Sequence, residues 1–268
     1  MHYFKTKLFK KGAFMQNPII VVGMGELGSV FARGFLKLGY PVQAVNRQQS
    51  MQDIAESIPN PVAVLIAVGE ADIHQTLTDC PAQWQEKTIL LQNELLPRDW
   101  EATNIKNPTV ISVWFEKKKG MDSKVVLPSP VFGQHAKLVF DALATLDLPC
   151  VQLDSEEELL YELVRKNLYI LTTNIAGLKV GGNVSELAEN HADVMNSVAQ
   201  DVLDIQDTLT QSKQPREPLI EGMLEAFEGD PQHGCMGRSA PARLKRALGF
   251  ADKAKLDVPI LREIQNTL

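Results

Sequence analysis

Residues 18–47 read PIIVVGMGELGSVFARGFLKLGYPVQAVNR. A short apolar run, Pro18–Val22, is followed at once by Gly23-Met24-Gly25-Glu26-Leu27-Gly28. Leu27, Phe31, Phe35 and Leu38 then recur at helical spacing, Gly39 stands where a helix cap belongs, and Val42–Val45 reads as a second strand. Three glycines at this spacing, between a strand and a helix, leave few folds open. Gly23 permits a tight turn, Gly25 lets another group approach the backbone closely, and Gly28 lets the helix pack against the strand. The segment therefore predicts strand, turn, helix and a second, parallel strand.

The same alternation continues. Val62–Val68 is an unbroken apolar run of the kind found in a strand buried on both faces. Asp72–Leu77 reads as a short helix, and Thr88–Gln92 and Thr109–Trp114 as further strands. Strands joined by helical crossovers predict an α/β architecture, a doubly wound parallel sheet with helices on both faces. After about residue 153 the period changes. Ser155 to about Lys179 reads as a helix with a Ser cap and three acidic residues in its first turn, broken at Gly181-Gly182. Leu187, His191, Val194, Met195, Val198, Val202, Ile205 and Leu209 form one apolar stripe that predicts a single helix with a packed His191. A Gly- and Pro-containing loop follows at 229–239, then helices over about 240–255 and 259–267. The expected division is an N-terminal extension (1–14), a doubly wound domain (15–153) and an all-helical C-terminal domain (154–268).

Residues 1–14, MHYFKTKLFKKGAF, carry four lysines but lack the unbroken apolar core of a secretory leader. They read as a disordered extension, with Met15 as an alternative start. A net charge of −6 argues against a general nucleic-acid binder. No run approaches the ~18 uncharged apolar residues that a membrane helix requires. The three cysteines, Cys80, Cys150 and Cys235, are odd in number and widely spaced, which suits a reducing cytoplasm.

The glycine turn in this context is a dinucleotide-binding fingerprint. The backbone from Gly23 through Met24, Gly25, Glu26, Leu27 and Gly28 would cradle a pyrophosphate on the helix N-terminus, with Val68 at the end of the neighbouring strand. An NAD site usually carries Asp or Glu at the end of the second strand. Here that strand ends Gln43-Ala-Val-Asn-Arg47, without a carboxylate. Arg47 can pair with a 2′-phosphate and Asn46 can donate to it, so the expected cofactor is NADP(H).

With these residues in view, the chain resembles the ketopantoate reductase family, within the larger group of 6-phosphogluconate-dehydrogenase-like enzymes. In TILLQNELL the pair Gln92-Asn93 matches a Gln-Asn pair that the family carries at a strand end, although Glu94 stands where a glycine usually follows. In ELVRKNLYILTTNIAGL, Lys166 matches the family's catalytic lysine and Asn174 the asparagine eight residues later, while Ile170 occupies the place of the one between them. The resemblance implies a Rossmann domain followed by a helical domain. It also implies reduction of a small 2-oxo acid, or oxidation of a 2-hydroxy acid, between them. Lys166 would be the general acid, with Asn93 and Asn174 orienting the ligand and Asn93 also contacting the nicotinamide ribose. Lys166, Ile170 and Thr173 share one helical face, flanked by Asn174.

The sequence also departs from the family. GRSAPARLKRAL has Gly237-Arg238 but no carboxylate where the family places a glutamate, and Gly69-Glu70 stands where a basic residue is often found. The loop Asp230–Arg238 is the place to look for a substitute, with Asp230, His233 and Ser239 as polar candidates. His233 and Cys235 supply only two soft ligands, so no metal site is expected. Lys117-Lys118-Lys119-Gly120 reads as a solvated turn. Expected partners are a small carboxylate substrate and, for assembly, a second copy of the chain, with no nucleic acid and no membrane. Two alternatives stand beside the reductase: a non-catalytic NADP(H)-binding redox sensor or scaffold, and a 3-hydroxyacid dehydrogenase from the same larger group.

Overall fold

A computed structural model of the chain describes residues 16–268, Gln92 excepted. The 1–14 extension, Met15 and Gln92 lie outside the described residues. The first half contains β1 (Ile19–Val22), α1 (Glu26–Lys37), β2 (Val42–Val45), α2 (Met51–Ser57), β3 (Val64–Ile66), α3 (Ile73–Thr78), β4 (Thr88–Leu90), α4 (Pro97–Glu101) and β5 (Thr109–Ile111). A hairpin of β6 (Phe115–Glu116) and β7 (Lys124–Val125) follows, then β8 (Ser129–Phe132), α5 (Ala136–Ala144) and β9 (Cys150–Gln152). Seven strands form one sheet in the order β2-β1-β3-β4-β5-β8-β9. The first five are parallel, β8 runs antiparallel to β5, and β9 is parallel to β8.

Alternate strand residues point to opposite faces and build two cores. Ile19, Val21, Leu65, Ile89, Ile111 and Val131 pack with Phe31 and Phe35 of α1 and Val139 of α5. Ile20, Val22, Val64, Ile66, Leu90 and Val110 face the other way, into a core continuous with Leu168, Ile175, Val198 and Val202 of the helical half. The second face of the sheet is therefore covered largely by the C-terminal helices.

Those helices are α6 (Glu156–Val180), α7 (Val184–Asn190), α8 (Ala192–Thr210), α9 (Arg216–Gly229), α10 (Ala240–Ala254) and α11 (Pro259–Asn266). The 25-residue α6 is the hub, packing against α8, α9 and α10. Ser155 caps it by accepting from Glu158 N at 3.1 Å, Glu156–Glu158 sit in its first turn, and Gly181 ends it at φ 69°.

The strand and helix pattern holds, with differences. The stripe from Leu187 to Leu209 is two helices, because the chain turns at His191 (φ −135°), which is exposed rather than packed. Helices α2, α4, α5 and α9, the hairpin, β8 and β9 are not among the elements that the sequence pattern predicts. β8 contains Pro130, which argues against an inner strand in sequence reading, and β9 has only three residues. Among the described residues no helix is long and apolar enough to cross a membrane, and Cys80, Cys150 and Cys235 are free thiols.

Candidate functional site

Two clefts flank the glycine turn. In strand order β1 lies between β2 and β3, so the chain reverses direction across the sheet there and opens a crevice beyond the strand ends. The first cleft, of about 610 Å³, is lined by Gly23, Met24, Gly25, Asn46, Arg47, Gln49, Val68, Gly69, Asp72 and Thr76. Each glycine has a distinct constraint. Gly23 has φ 93°, and a Cβ there would lie 2.6 Å from Ala67 O. A Cβ on Gly28 would lie 2.0 Å from Gly23 O, which is the close contact of helix and turn. A Cβ on Gly25 would meet nothing within 4 Å, so the backbone is open to the cleft at that point. Gly25 caps α1 without a side-chain acceptor, which leaves the first-turn N–H groups for an anion.

Arg47 and Asn46 lie at the far end of this cleft. The Arg47 side chain is 90% exposed and donates from Nη2 to Asp72 Oδ2 at 3.1 Å. Glu26, at the start of α1, pairs with Lys117 Nζ at 3.5 Å. Lys117 also donates to Lys118 O at 2.9 Å and its side chain is only 21% exposed, whereas Lys118 is 69% exposed and Lys119 and Gly120 are exposed, so the turn is solvated except at Lys117.

The second cleft, of about 240 Å³, lies between the halves of the chain. α6 contributes Lys166, Tyr169, Ile170, Thr173 and Asn174; Leu27 comes from α1, Asn93 follows β4, and Glu116 belongs to the hairpin. Trp114, Phe115, His233 and Arg243 complete its polar and aromatic lining. Lys166, Asn174 and Asn93, predicted separately, are thus brought together. Gln92 lies outside the described residues.

Lys166 Nζ stands 3.9 Å from the centre of the Trp114 ring and 5.4 Å from that of Tyr169. Trp114 and Tyr169 meet edge to face at 5.2 Å, which fixes this aromatic seat. Among the described residues Lys166 Nζ makes no hydrogen bond or ion pair. Burial pushes its ammonium down from 10.5 to about 7; the Glu116 carboxylate opposes this, and the Arg243 and Arg165 cations add to it. The side chain keeps part of its surface open and lines the cleft. Burial also raises the Tyr169 phenol, with the Glu116 and Asp230 carboxylates adding to the effect.

Asn174 is held at both ends, its Nδ2 donating to Ile170 O at 2.9 Å and its Oδ1 accepting from Arg243 Nη1 at 3.1 Å. Arg243 and Arg246 of α10 in turn grip two carboxylates of the first half. Arg243 donates to Glu94 at 3.0 Å and to Glu70; Arg246 donates to Glu94 at 2.6 Å and to Glu70 at 2.9 Å. Glu94 sits at φ 64°, a left-handed conformation that suits glycine. The two departures at Glu70 and Glu94 are therefore one feature, a four-charge tie between the halves. Sequence reading missed both arginines, although RLKR at 243–246 offered two of them three residues apart, just after the expected acid position.

Of the candidates in the 230–238 loop, His233 reaches the cleft. Asp230 is buried beneath it and accepts from Lys124 at 2.6 Å, and Cys235 packs against Gly177. Ser239 does not line the cleft.

No protein-family model and no curated protein matches the sequence. The fold does match solved structures. A 2-dehydropantoate 2-reductase from Methylococcus capsulatus aligns over 92% of this chain and 94% of its own, with TM-score 0.65 and 13% identity. A probable 2-dehydropantoate 2-reductase from Bacillus subtilis aligns over 93% and 98%, with TM-score 0.64 and 16% identity. A D-mandelate dehydrogenase in complex with NADH aligns over 93% and 96%, with TM-score 0.65 and 14% identity. A doubly wound domain with a helical domain covering one face of its sheet is thus the fold of the ketopantoate reductase structures, and it is the fold of this chain.

Proposed function

We propose that the chain is a nicotinamide-dependent oxidoreductase that interconverts a small 2-oxo acid and its 2-hydroxy acid, with NADP(H) as the preferred cofactor. One observation carries this reading. The Lys166 ammonium is seated on Trp114 in a cleft next to the glycine turn, with no acceptor among the described residues. A buried ammonium with unused donors calls for an oxygen acceptor from a ligand. The similar folds of ketopantoate reductases and of a mandelate dehydrogenase with NADH support the same chemistry.

The glycine turn fits a dinucleotide: its open position at Gly25 and uncapped α1 N-terminus suit a pyrophosphate. Asn46 and Arg47 would take the 2′-phosphate, with Arg47 exchanging the Asp72 carboxylate for it. Bound there, the nicotinamide dinucleotide supplies or accepts the hydride. Lys166 donates a hydrogen bond to the carbonyl oxygen and then a proton to the alkoxide, and a value near 7 suits that transfer at neutral pH. Asn174, fixed by Arg243, and Asn93 orient the ligand. In this reading residues 15–153 hold the cofactor, and residues 154–268 supply the acid and the substrate wall.

The test is a panel of 2-oxo acids incubated with NADPH and with NADH. Substrate-dependent loss of the reduced-nicotinamide absorbance is expected with NADPH, and its loss in Lys166→Ala. Tight NADPH binding without turnover on any acid would instead favour the sensor or scaffold reading, for which the tie of Asn174 to Arg243 is the supporting observation. Full turnover in Lys166→Ala would refute the assigned acid.

A further inference from the structure

Among the described residues Lys166 has no hydrogen-bonded partner from which to regain a proton, yet the proposed reaction takes one from it in every reductive turnover. The cleft lining contains one carboxylate among the described residues, Glu116. It comes from the hairpin of the first half, and His233 comes from the loop between α9 and α10 of the second. Their side chains meet with His233 Nδ1 3.2 Å from Glu116 Oε1. Both side chains reach solvent, Glu116 at 30% and His233 at 21% exposure, so the pair joins the buried lysine's cleft to water.

The surroundings hold the pair in place. Asp230 Oδ2 lies 3.7 Å from the same His233 nitrogen, and Lys124 fixes Asp230 from β7. Lys118 Nζ stands 3.2 Å from the second Glu116 oxygen. From α6 the Tyr169 ring packs 6.0 Å from the imidazole. The Lys166 side faces Glu116, Arg243 and Arg165.

We propose that Glu116 and His233 form the proton relay of this cleft, returning to Lys166 the proton it gives to the substrate oxygen. This rests on the oxidoreductase reading above. After Lys166 has protonated the alkoxide it is a neutral amine. The His233 imidazolium passes one proton to the Glu116 carboxylate beside it, Glu116 hands one through water in the shared cleft to that amine, and His233 regains one from solvent. The relay carries one proton and no electrons, and reduction consumes one solvent proton per turnover.

The experiment compares wild type with His233→Gln, His233→Ala and Glu116→Gln. In turnover of a 2-oxo acid, kcat should fall on the order of 100-fold in each variant while KM and NADPH affinity stay near wild type. Added imidazole should restore kcat in His233→Ala. The alkaline limb of kcat should move to lower pH in Glu116→Gln, because the lost charge favoured the ammonium. Unchanged kcat and pH profile, or a change in KM alone without rescue, would overturn the relay. Direct NMR titration of the Lys166 amine needs no turnover. Glu116→Gln should lower its midpoint by about one pH unit, and an unmoved midpoint overturns the proposal. Absence of turnover in wild type, with the midpoint shifted, refutes the oxidoreductase reading and leaves the Glu116–Lys166 coupling standing.

Discussion

Replacing Lys166 by methionine should make the protein more stable while removing its proposed activity. Burial in the cleft takes the ammonium from 10.5 to about 7. The unfolded chain binds that proton more tightly, so at neutral pH the folded state carries a penalty of roughly 4–5 kcal/mol. The Trp114 face, 3.9 Å from Nζ, offsets ~0.5–2 kcal/mol of this. Methionine keeps the unbranched chain against Trp114 and Tyr169 and opens no large cavity. A net gain of about 3 kcal/mol is expected, which for a chain of this size raises the melting temperature by roughly 5–10 °C. The sign of the pH dependence is fixed. Below pH 7 the penalty is fully present, and as pH rises from 7 towards 10.5 it disappears at about 1.4 kcal/mol per pH unit. Thermal melts of both proteins from pH 6 to pH 10 should therefore converge. A variant less stable than wild type, or a gap that does not change with pH, would refute the picture of a buried, desolvated lysine.

The glycine turn separates fold from binding. Gly28→Ala would place a Cβ 2.0 Å from Gly23 O and should cost both melting temperature and NADPH binding, whereas Gly25→Ala meets no protein atom and should melt like wild type while binding NADPH more weakly by fluorescence titration. Arg47→Ala should weaken NADPH binding by about 1.5–3 kcal/mol and leave NADH nearly untouched, because the charge-assisted contact is specific to the 2′-phosphate. Equal affinities for both cofactors in wild type would contradict that assignment. Glu94→Gly relieves a left-handed backbone worth ~1–2 kcal/mol but strips a carboxylate from Arg243 and Arg246, so the balance should be a loss of about 2 kcal/mol in denaturant melts. A more stable Glu94→Gly would show that the charge tie contributes little.

The parts of this fold legible in sequence are those set by local periodicity. The apolar runs at 18–22 and 62–68, the Gly23-Gly25-Gly28 spacing and the Ser155 cap each act within one element; the runs form strands, shortened to Ile19–Val22 and Val64–Ile66, and the turn and cap lie where read. His191 shows the limit of periodicity: its place in an apolar stripe does not reveal that the backbone breaks there. The site divides in the same way. Lys166 and Asn174 share a helix, so the flanking position of Asn174 beside the Lys166 face follows from spacing. Glu116, His233 and Arg243 reach the cleft from three distant segments, and only tertiary packing brings them together. Glu70 and Glu94 read as separate anomalies until Arg243 and Arg246 are seen between them.

The central claim is that a hydride passes between a nicotinamide and a carbonyl carbon beside Lys166. NADPH carrying deuterium at nicotinamide C4 on the transferred face, incubated with the protein and a 2-oxo acid, tests it directly by mass spectrometry of the product. The account predicts one deuterium at C2 of the 2-hydroxy acid with wild type, and none above background with Lys166→Met. Bound NADPH with no labelled product from any 2-oxo acid, or equal labelling by the variant, would contradict it.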